Sequence, residues 1–507
     1  MQEQARDSTG LFWRIWGLAG ALWLLGGGAW AAAADWPQLQ HDPQRTGYTA
    51  EEVAPPFKVD WYRNFQPERI SRHVQAVVHA GHVFVPSEEG NVYALGETDG
   101  QIAWKKALGS PIEHTAACAD GRVVVALLDG RIVALGAKTG EELWTFKPQR
   151  RRVNFTAAPC IADGQVFIAS RQGILYAISL ADGSLLWELN LDVPVYQTAA
   201  HDQGVVYIGG EDIRMRAVDA RSGRIIWTSE QFYGQSLKDN HPVVTGGYVL
   251  FRPMPVHPSR EYFNSNWGKH PAVRADYIFQ ATWDHYSEWT GFGDRKGPND
   301  VQAKLTPIYQ EMRDEVRAGR MPERLMKAQE AVIEHYRNSP YDQTLFVLNQ
   351  RDGRQAKIVP HFHLFHNNGA PPPPAVCQDG TVIIPWIYCS HVWARLDLNL
   401  GRVVEIMLTP GGSNGDETLY ASVGGRYFYA LHCEETNAAY TGVFDFQTKT
   451  WARLPSIEKR WWQLSDNTES GANAGSIANG RLYHIVFHQV AAFSHSDQAP
   501  ARGRRGQ

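Results

Sequence analysis

The chain has 507 residues, five of them Cys and 18 Trp, with a formal net charge of −4. That balance offers no global field for nucleic acid or an acidic membrane surface, and five Cys without a CxxC or CxxCH exclude haem attachment and the usual paired-cysteine site. The length suits two or three average domains, or one large all-β domain.

Residues 1–34 read as a targeting segment. Leu11 to Trp30 is apolar apart from Arg14, and Ala29-Trp30-Ala31 or Ala32-Ala33-Ala34 offers small residues for cleavage before Asp35. The stretch is also nearly long enough to span a bilayer, so an uncleaved signal anchor is the alternative. Membrane contact is expected only through it. Val59-Asp60-Trp61-Tyr62-Arg63 then resembles the fourth strand of a repeat that lacks its first three.

Between 92 and 227 one pattern recurs four times. Gly100, Gly140, Gly183 and Gly223 each follow an Ala by six positions and precede Trp104, Trp144, Trp187 or Trp227 by four. A period of about 40 residues marks a solenoid, propeller or array. The copy from Cys118 to Pro148 shows why it reads as four strands. Arg122 to Leu127 is a β-branched run, Asp129-Gly130 is a hairpin signal, Arg131 to Leu135 is a third strand, and Glu141 to Phe146 follows the turn at Thr139-Gly140. Four short antiparallel strands make a propeller blade. The Gly supplies a positive-φ turn, the small Ala leaves room between sheets, and the Trp fills the gap to the next blade. The lone strand at Val59 belongs at the edge of the last blade, so that the chain ends close the ring.

Blade five starts at His241, breaks after Phe251 and resumes at Thr344. Blades six, seven and eight are marked by Gly380, Gly425 and Gly480, but the Gly-to-Trp spacing is lost, with Lys357 and Glu405 at Trp positions. The insertion holds an amphipathic helix with Val301, Leu305, Ile308, Met312 and Val316 inward, ended by Gly319. A second helix follows Pro322, with Leu325, Met326, Ala328, Val332, Ile333 and Tyr336 inward. The expected fold is thus all-β: an eight-bladed β-propeller, with seven blades as the alternative, over residues 35–493. A helical-hairpin insertion at 254–340 sits on the funnel face, and 494–507 is a disordered basic tail.

Loops from strand two to three, and from strand four to the next blade, emerge on one face. Residues just before each first strand gather there around the funnel. They are His73, His114, Asn154, Gln197, Asn240 with His241, His366 with Asn367, Asp416 with Glu417, and Asp466 with Glu469. The plainer reading is that each bonds a loop backbone or water. His361 and His363 share one side of an extended segment, and with His366 they are the candidates for a metal, an imidazole role. No HExxH or other diagnostic spacing supports one, so no metal is assigned. Cys118 and Cys377 are expected to be buried, and Cys389 and Cys433 end equivalent strands of consecutive blades.

The Ala–Gly–Trp spacing is similar to the tryptophan-docking repeat of the PQQ-like β-propellers. That superfamily includes quinoprotein alcohol dehydrogenases and the non-catalytic propeller of the outer-membrane protein assembly machinery. The resemblance extends to Asp35–Tyr48, similar to the segment that opens many secreted members, and implies that it wraps the outside of the barrel. It also implies PQQ and calcium in the funnel of an enzyme. However, the adjacent Cys pair that covers the quinone in the family is missing, and no Glu, Asn and Asp calcium set aligns. The expectation is therefore a periplasmic or secreted, monomeric, non-catalytic binding or scaffold protein of the cell envelope. It would meet a protein or glycan partner through its funnel face and insertion. A PQQ-dependent dehydrogenase, or a metal-dependent enzyme built on the funnel histidines, is the alternative.

Overall fold

The structure is a computed structural model that describes residues 35–150, 152–238, 240–254, 256, 298–320, 323–356, 373–387, 392–408, 421–430, 442–455, 475–486 and 488–497. Blade three shows how the repeat folds. Cys160–Ala162, Gln165–Ala169, Ile174–Ser179 and Leu185–Asn190 pair in that order as an antiparallel meander. Its middle strands are buried on both faces and so read as apolar runs, while the outermost strand alternates exposed and half-buried residues. Eight sheets of this kind occur among the described residues, blade five showing three strands and blade seven a fifth, Tyr48–Thr49, parallel to its first, and this removes the seven-bladed alternative. Blade five shows Val243–Thr245, Tyr248–Phe251 and Phe346–Asn349. Blade eight takes its fourth strand, Phe57–Asn64, from the other end of the chain, so the ring closes as expected. Its last native strand, Gln489–His495, runs past Phe493, and Ser494 and His495 belong to the propeller rather than the tail.

One geometry joins neighbouring blades at five junctions. Ala177 lies opposite Trp187 across the ladder, beside a bulge. The indole rests on Gly223 of blade four, where a Cβ would come within 2.8 Å of Cδ2 and Cε3, and its Nε1 donates to the Ala220 carbonyl at 2.9 Å. Trp61 on Gly100, Trp104 on Gly140, Trp144 on Gly183 and Trp227 on Gly353 repeat the contact, each with Nε1 donating to a carbonyl of the next blade.

Blade six replaces every part of that dock with charge. Arg395 stands opposite Glu405, where Ala and Trp would be. Lys449, at φ +61, holds the docking glycine's turn position in blade seven. Glu405 is fully buried and meets Lys449 at 2.7 Å, Arg395 at 2.9 Å and Arg313 at 3.4 Å. Burial alone would raise its carboxyl, but Arg395, Lys449 and Arg313 hold it below the usual value. Lys357 lies outside the described residues.

The lead-in segment corrects the expectation that it wraps the barrel's outside. It runs instead along the innermost strands, visiting the blades in order. Trp36 exchanges both backbone bonds with Val78 of blade one at 2.9 Å, and Pro37 accepts from the Cys118 N–H of blade two at 2.7 Å. The Gln38 amide pairs with the Ile161 backbone of blade three. Pro43, Gln44, Thr46 and Gly47 carbonyls then accept from His201, Val244, Val376 and Val423, in blades four to seven. Glu51 accepts from the backbone N–H groups of Asn479 and Gly480 in blade eight. The physical reason is that innermost strands present unpaired backbone groups, and buried ones need partners. Arg45, fully buried, fastens this segment by donating to the carbonyls of Leu39 (2.7 Å), Ala199 (3.0 Å) and Pro159 (3.1 Å).

The insertion's described part is a helical hairpin, α1 (Pro298–Arg317) and α2 (Glu323–Asn338). Gly319 ends α1 as expected, with its N–H bonding Val316 and the Arg320 N–H bonding Glu315. The inward stripe uses Tyr309 rather than Ile308, and Met326 is exposed rather than inward. The position also differs from the expected funnel face: α1 lies along the outermost strands of blades six and seven. Gln302 donates to the Ile406 carbonyl at 3.0 Å and accepts from Leu408 at 3.2 Å, while Asn299 bonds both backbone groups of Trp451. A strand edge leaves such groups open, and the amphipathic helix covers them. Its apolar stripe joins one cluster with Val403, Val404 and Ile406. Among the described residues no helix is long and apolar enough to cross a membrane.

Candidate functional site

The funnel is built from the short segments that lead into each first strand. His73 and His114, from blades one and two, face each other with ring centroids 5.6 Å apart. His114 is buried, and its Nδ1 accepts from the Thr115 N–H at 2.9 Å. Burial holds it neutral, well below the usual imidazole range, and the neighbouring His73 and His241 rings and the Arg45 guanidinium act in the same direction. His241 is fully buried and is kept neutral by burial first and by Arg45 second. His73 and His114 thus meet in the funnel, and Arg45 of the lead-in segment lies close enough to His114 and His241 to act on both.

Asn154 and Gln197 serve differently. Asn154 donates to the Leu128 carbonyl at 2.6 Å and bonds Gln172, and Gln197 accepts from the Gly209 N–H at 2.6 Å. Asn154 ties two loops together, and Gln197 ties its loop to the strand Val205–Gly210. His361, His363, His366, Asn367, Asp416, Glu417, Asp466 and Glu469 lie outside the described residues, as do Cys389 and Cys433. Cys118, Cys160 and Cys377 are buried free thiols. Among the described residues no group of three or more His, Cys, Asp or Glu is placed to hold a metal.

The sequence reading missed the residues that bind the blades around the funnel. Thr115 accepts from the Gln75 N–H at 2.9 Å and donates to the His73 carbonyl at 2.9 Å, and Thr198 accepts from the Ala158 N–H at 3.1 Å. Gln40 reaches across to the Ala421 carbonyl at 3.1 Å. No ligand spacing marks these positions. The available signal was indirect: an inner ring of strands needs a segment to satisfy it.

A family model described as the outer membrane protein assembly factor BamB matches residues 57–150 and 128–253. Those residues hold all five docking tryptophans, four of the glycines they rest on, and the closing strand. Over those residues the chain carries the PQQ-like β-propeller repeat. This propeller is 28% identical over 164 residues to BamB of Yersinia pestis, across 29% of this chain and 41% of that protein. It is 26% identical over 182 residues to a quinohemoprotein alcohol dehydrogenase of Comamonas testosteroni, across 31% and 26%. The matches thus span less than half of these relatives' lengths. The crystal structure of BamB from Moraxella catarrhalis superposes with a TM-score of 0.50 at 14% identity, covering 87% of this chain and 100% of that chain, a likeness of fold.

A calcium–quinone pair would make its own demands on the funnel. Calcium takes oxygen ligands. The described residues of the propeller's funnel offer imidazoles, together with amides already engaged by backbone groups. The candidate funnel carboxylates Asp416, Glu417, Asp466 and Glu469 lie outside the described residues, and no step through a calcium–quinone pair is derived.

Proposed function

We propose that the chain is a non-catalytic binding or scaffold propeller of the cell envelope, acting in the periplasm or after secretion. Its partner is a protein or glycan that meets the funnel-face loops. The observation that carries this reading is the likeness to assembly factors over the tryptophan-docked blades. The inner ring, filled by the chain's own Trp36–Glu51, supports it, because binding then falls to loops at the face rather than to a through-channel. The insertion contributes at the perimeter, through its α1.

The test is capture of envelope proteins by the intact chain. A variant carrying Arg150→Glu, Arg152→Glu and Tyr233→Ala changes exposed residues in two funnel-face loops. Loss of a specific partner with an unchanged melting curve is expected. Capture that survives these changes, and charge reversal of the remaining loops, rejects the funnel face as the contact surface.

The dehydrogenase reading is kept as the second one because of the likeness to the Comamonas testosteroni enzyme. The sequence's five Cys include no adjacent pair, which weighs against it.

A further inference from the structure

The outermost strands of blades three, four and six correspond residue for residue. Each carries two aliphatic residues just before the docking position: Leu185 and Leu186 before Trp187, Ile225 and Ile226 before Trp227, Val403 and Val404 before Glu405. In blade six this pair is 1% and 2% exposed, packed in one cluster with Val301, Leu305, Tyr309 and Met312 of α1. In blade three the same positions are 45% and 50% exposed, and in blade four 44% and 53%.

The backbone edge corresponds as well. Gln302 of α1 bonds the Ile406 carbonyl and the Leu408 N–H. The equivalents in blade three are the Glu188 carbonyl and the Asn190 N–H, and no strand lies beyond theirs among the described residues. Adjacent exposed aliphatics on consecutive open edges are the kind of surface that partners use.

We infer that the rim of blades three and four is a docking surface for an amphipathic helix of the α1 kind, presented by a partner protein. The helix carries aliphatic residues at three- and four-residue steps, which cover Leu185, Leu186, Ile225 and Ile226. An Asn or Gln at its start bonds the strand edge. The occupant follows from the chain's own use of the same positions: where blade six has its aliphatic pair, an amphipathic helix covers it. An extended strand would satisfy the edge but would leave the bulged second residue, Leu186 or Ile226, bare. The inference deepens the scaffold reading and rests on it for its biological use. The binding itself is measured separately.

The probe is a fluorescein-labelled peptide of residues 298–318, titrated with the full chain and read by anisotropy. Saturable binding is expected, weakened about tenfold or more by the double change Leu186→Asp and Ile226→Asp. It should be unaffected by Tyr62→Ser on the exposed outer strand of blade eight. A peptide of the same composition with its apolar stripe broken should not bind. Matched melting curves establish that the double variant folds. No saturation up to about 1 mM peptide, equal binding by the double variant, or equal binding of the scrambled peptide overturns the inference. So does binding of anionic phospholipid vesicles that depends on Leu186 and Ile226 without peptide binding, which would assign the rim to a membrane. None of these outcomes touches the funnel-loop capture experiment, so the two readings fail independently.

Discussion

Two glycines of blade three separate the cost of backbone conformation from the cost of losing a tryptophan dock. Gly183 has φ +75, and an added Cβ would lie 2.8 Å from Cδ2 and Cε3 of Trp144. Gly164 has nearly the same backbone, φ +71, with nothing within 4 Å of that Cβ. Alanine in the left-handed region costs about 1–2 kcal/mol at either site. Only Gly183→Ala also collides with a rigid ring, one that is 8% exposed and bonded through Nε1 to the Leu180 carbonyl at 2.9 Å. The indole must leave its seat and forfeit much of the roughly 3–5 kcal/mol that a buried Trp truncation costs. Gly164→Ala should therefore lose about 1–2 kcal/mol, and Gly183→Ala about 3–5 kcal/mol. Urea unfolding with matched m-values measures both, and a red-shifted Trp emission in folded Gly183→Ala reports the displaced ring. Equal losses in the two variants, with unchanged emission, would refute the claim that the docks hold the ring.

Glu405→Gln leaves the buried Arg395 and Arg313 and the half-buried Lys449 without their shared carboxylate, so thermal unfolding should show a loss of about 3–5 kcal/mol; a near-neutral result would contradict the charged substitute for a dock. Burial works against ionising Glu68, but donors from Lys105, Tyr93, Asn91 and Ser87 outweigh it and bring its carboxyl to about 2. A depressed folded value means that this stabilisation is full above the ordinary carboxyl value of 4.5 and fades as pH falls toward 2. Wild type should therefore exceed Glu68→Gln by about 2 kcal/mol at pH 7, with the gap closing through that acid window. Arg45→Ala removes three donations to buried carbonyls and should cost about 2–4 kcal/mol. It should also speed amide exchange at His201, Val244 and Val376, whose N–H groups bond the lead-in; unchanged exchange would count against the inner position of that segment.

The first half of the ring was legible because its chemistry is repetitive. Ala, Gly and Trp at fixed steps describe a contact that only those residues make, and Trp104, Trp144, Trp187 and Trp227 all rest where the spacing placed them. At the junction of blades six and seven the same contact survives as Arg395, Glu405 and Lys449, a trio with no shared sequence signature. The lead-in was misplaced for a related reason. It satisfies the inner strands mainly through backbone carbonyls, which every residue carries, so nothing in Asp35–Tyr48 betrays its path. Helix α1 shows the limit of periodicity: the stripe fixes which face is apolar, while the surface it meets is set by open strand edges on blades six and seven. Of the funnel residues, His73, His114 and His241 converge, whereas Asn154 and Gln197 brace loops, a distinction that residue type alone does not make.

The central functional claim, binding rather than quinone chemistry, is tested most directly by equilibrium dialysis of the intact chain against PQQ with calcium, followed by a dye-linked alcohol oxidation assay. The prediction is that no quinone is retained above a denatured control and that dye reduction does not depend on alcohol. Stoichiometric quinone absorbance on the folded protein, accompanied by alcohol-dependent turnover, would contradict it.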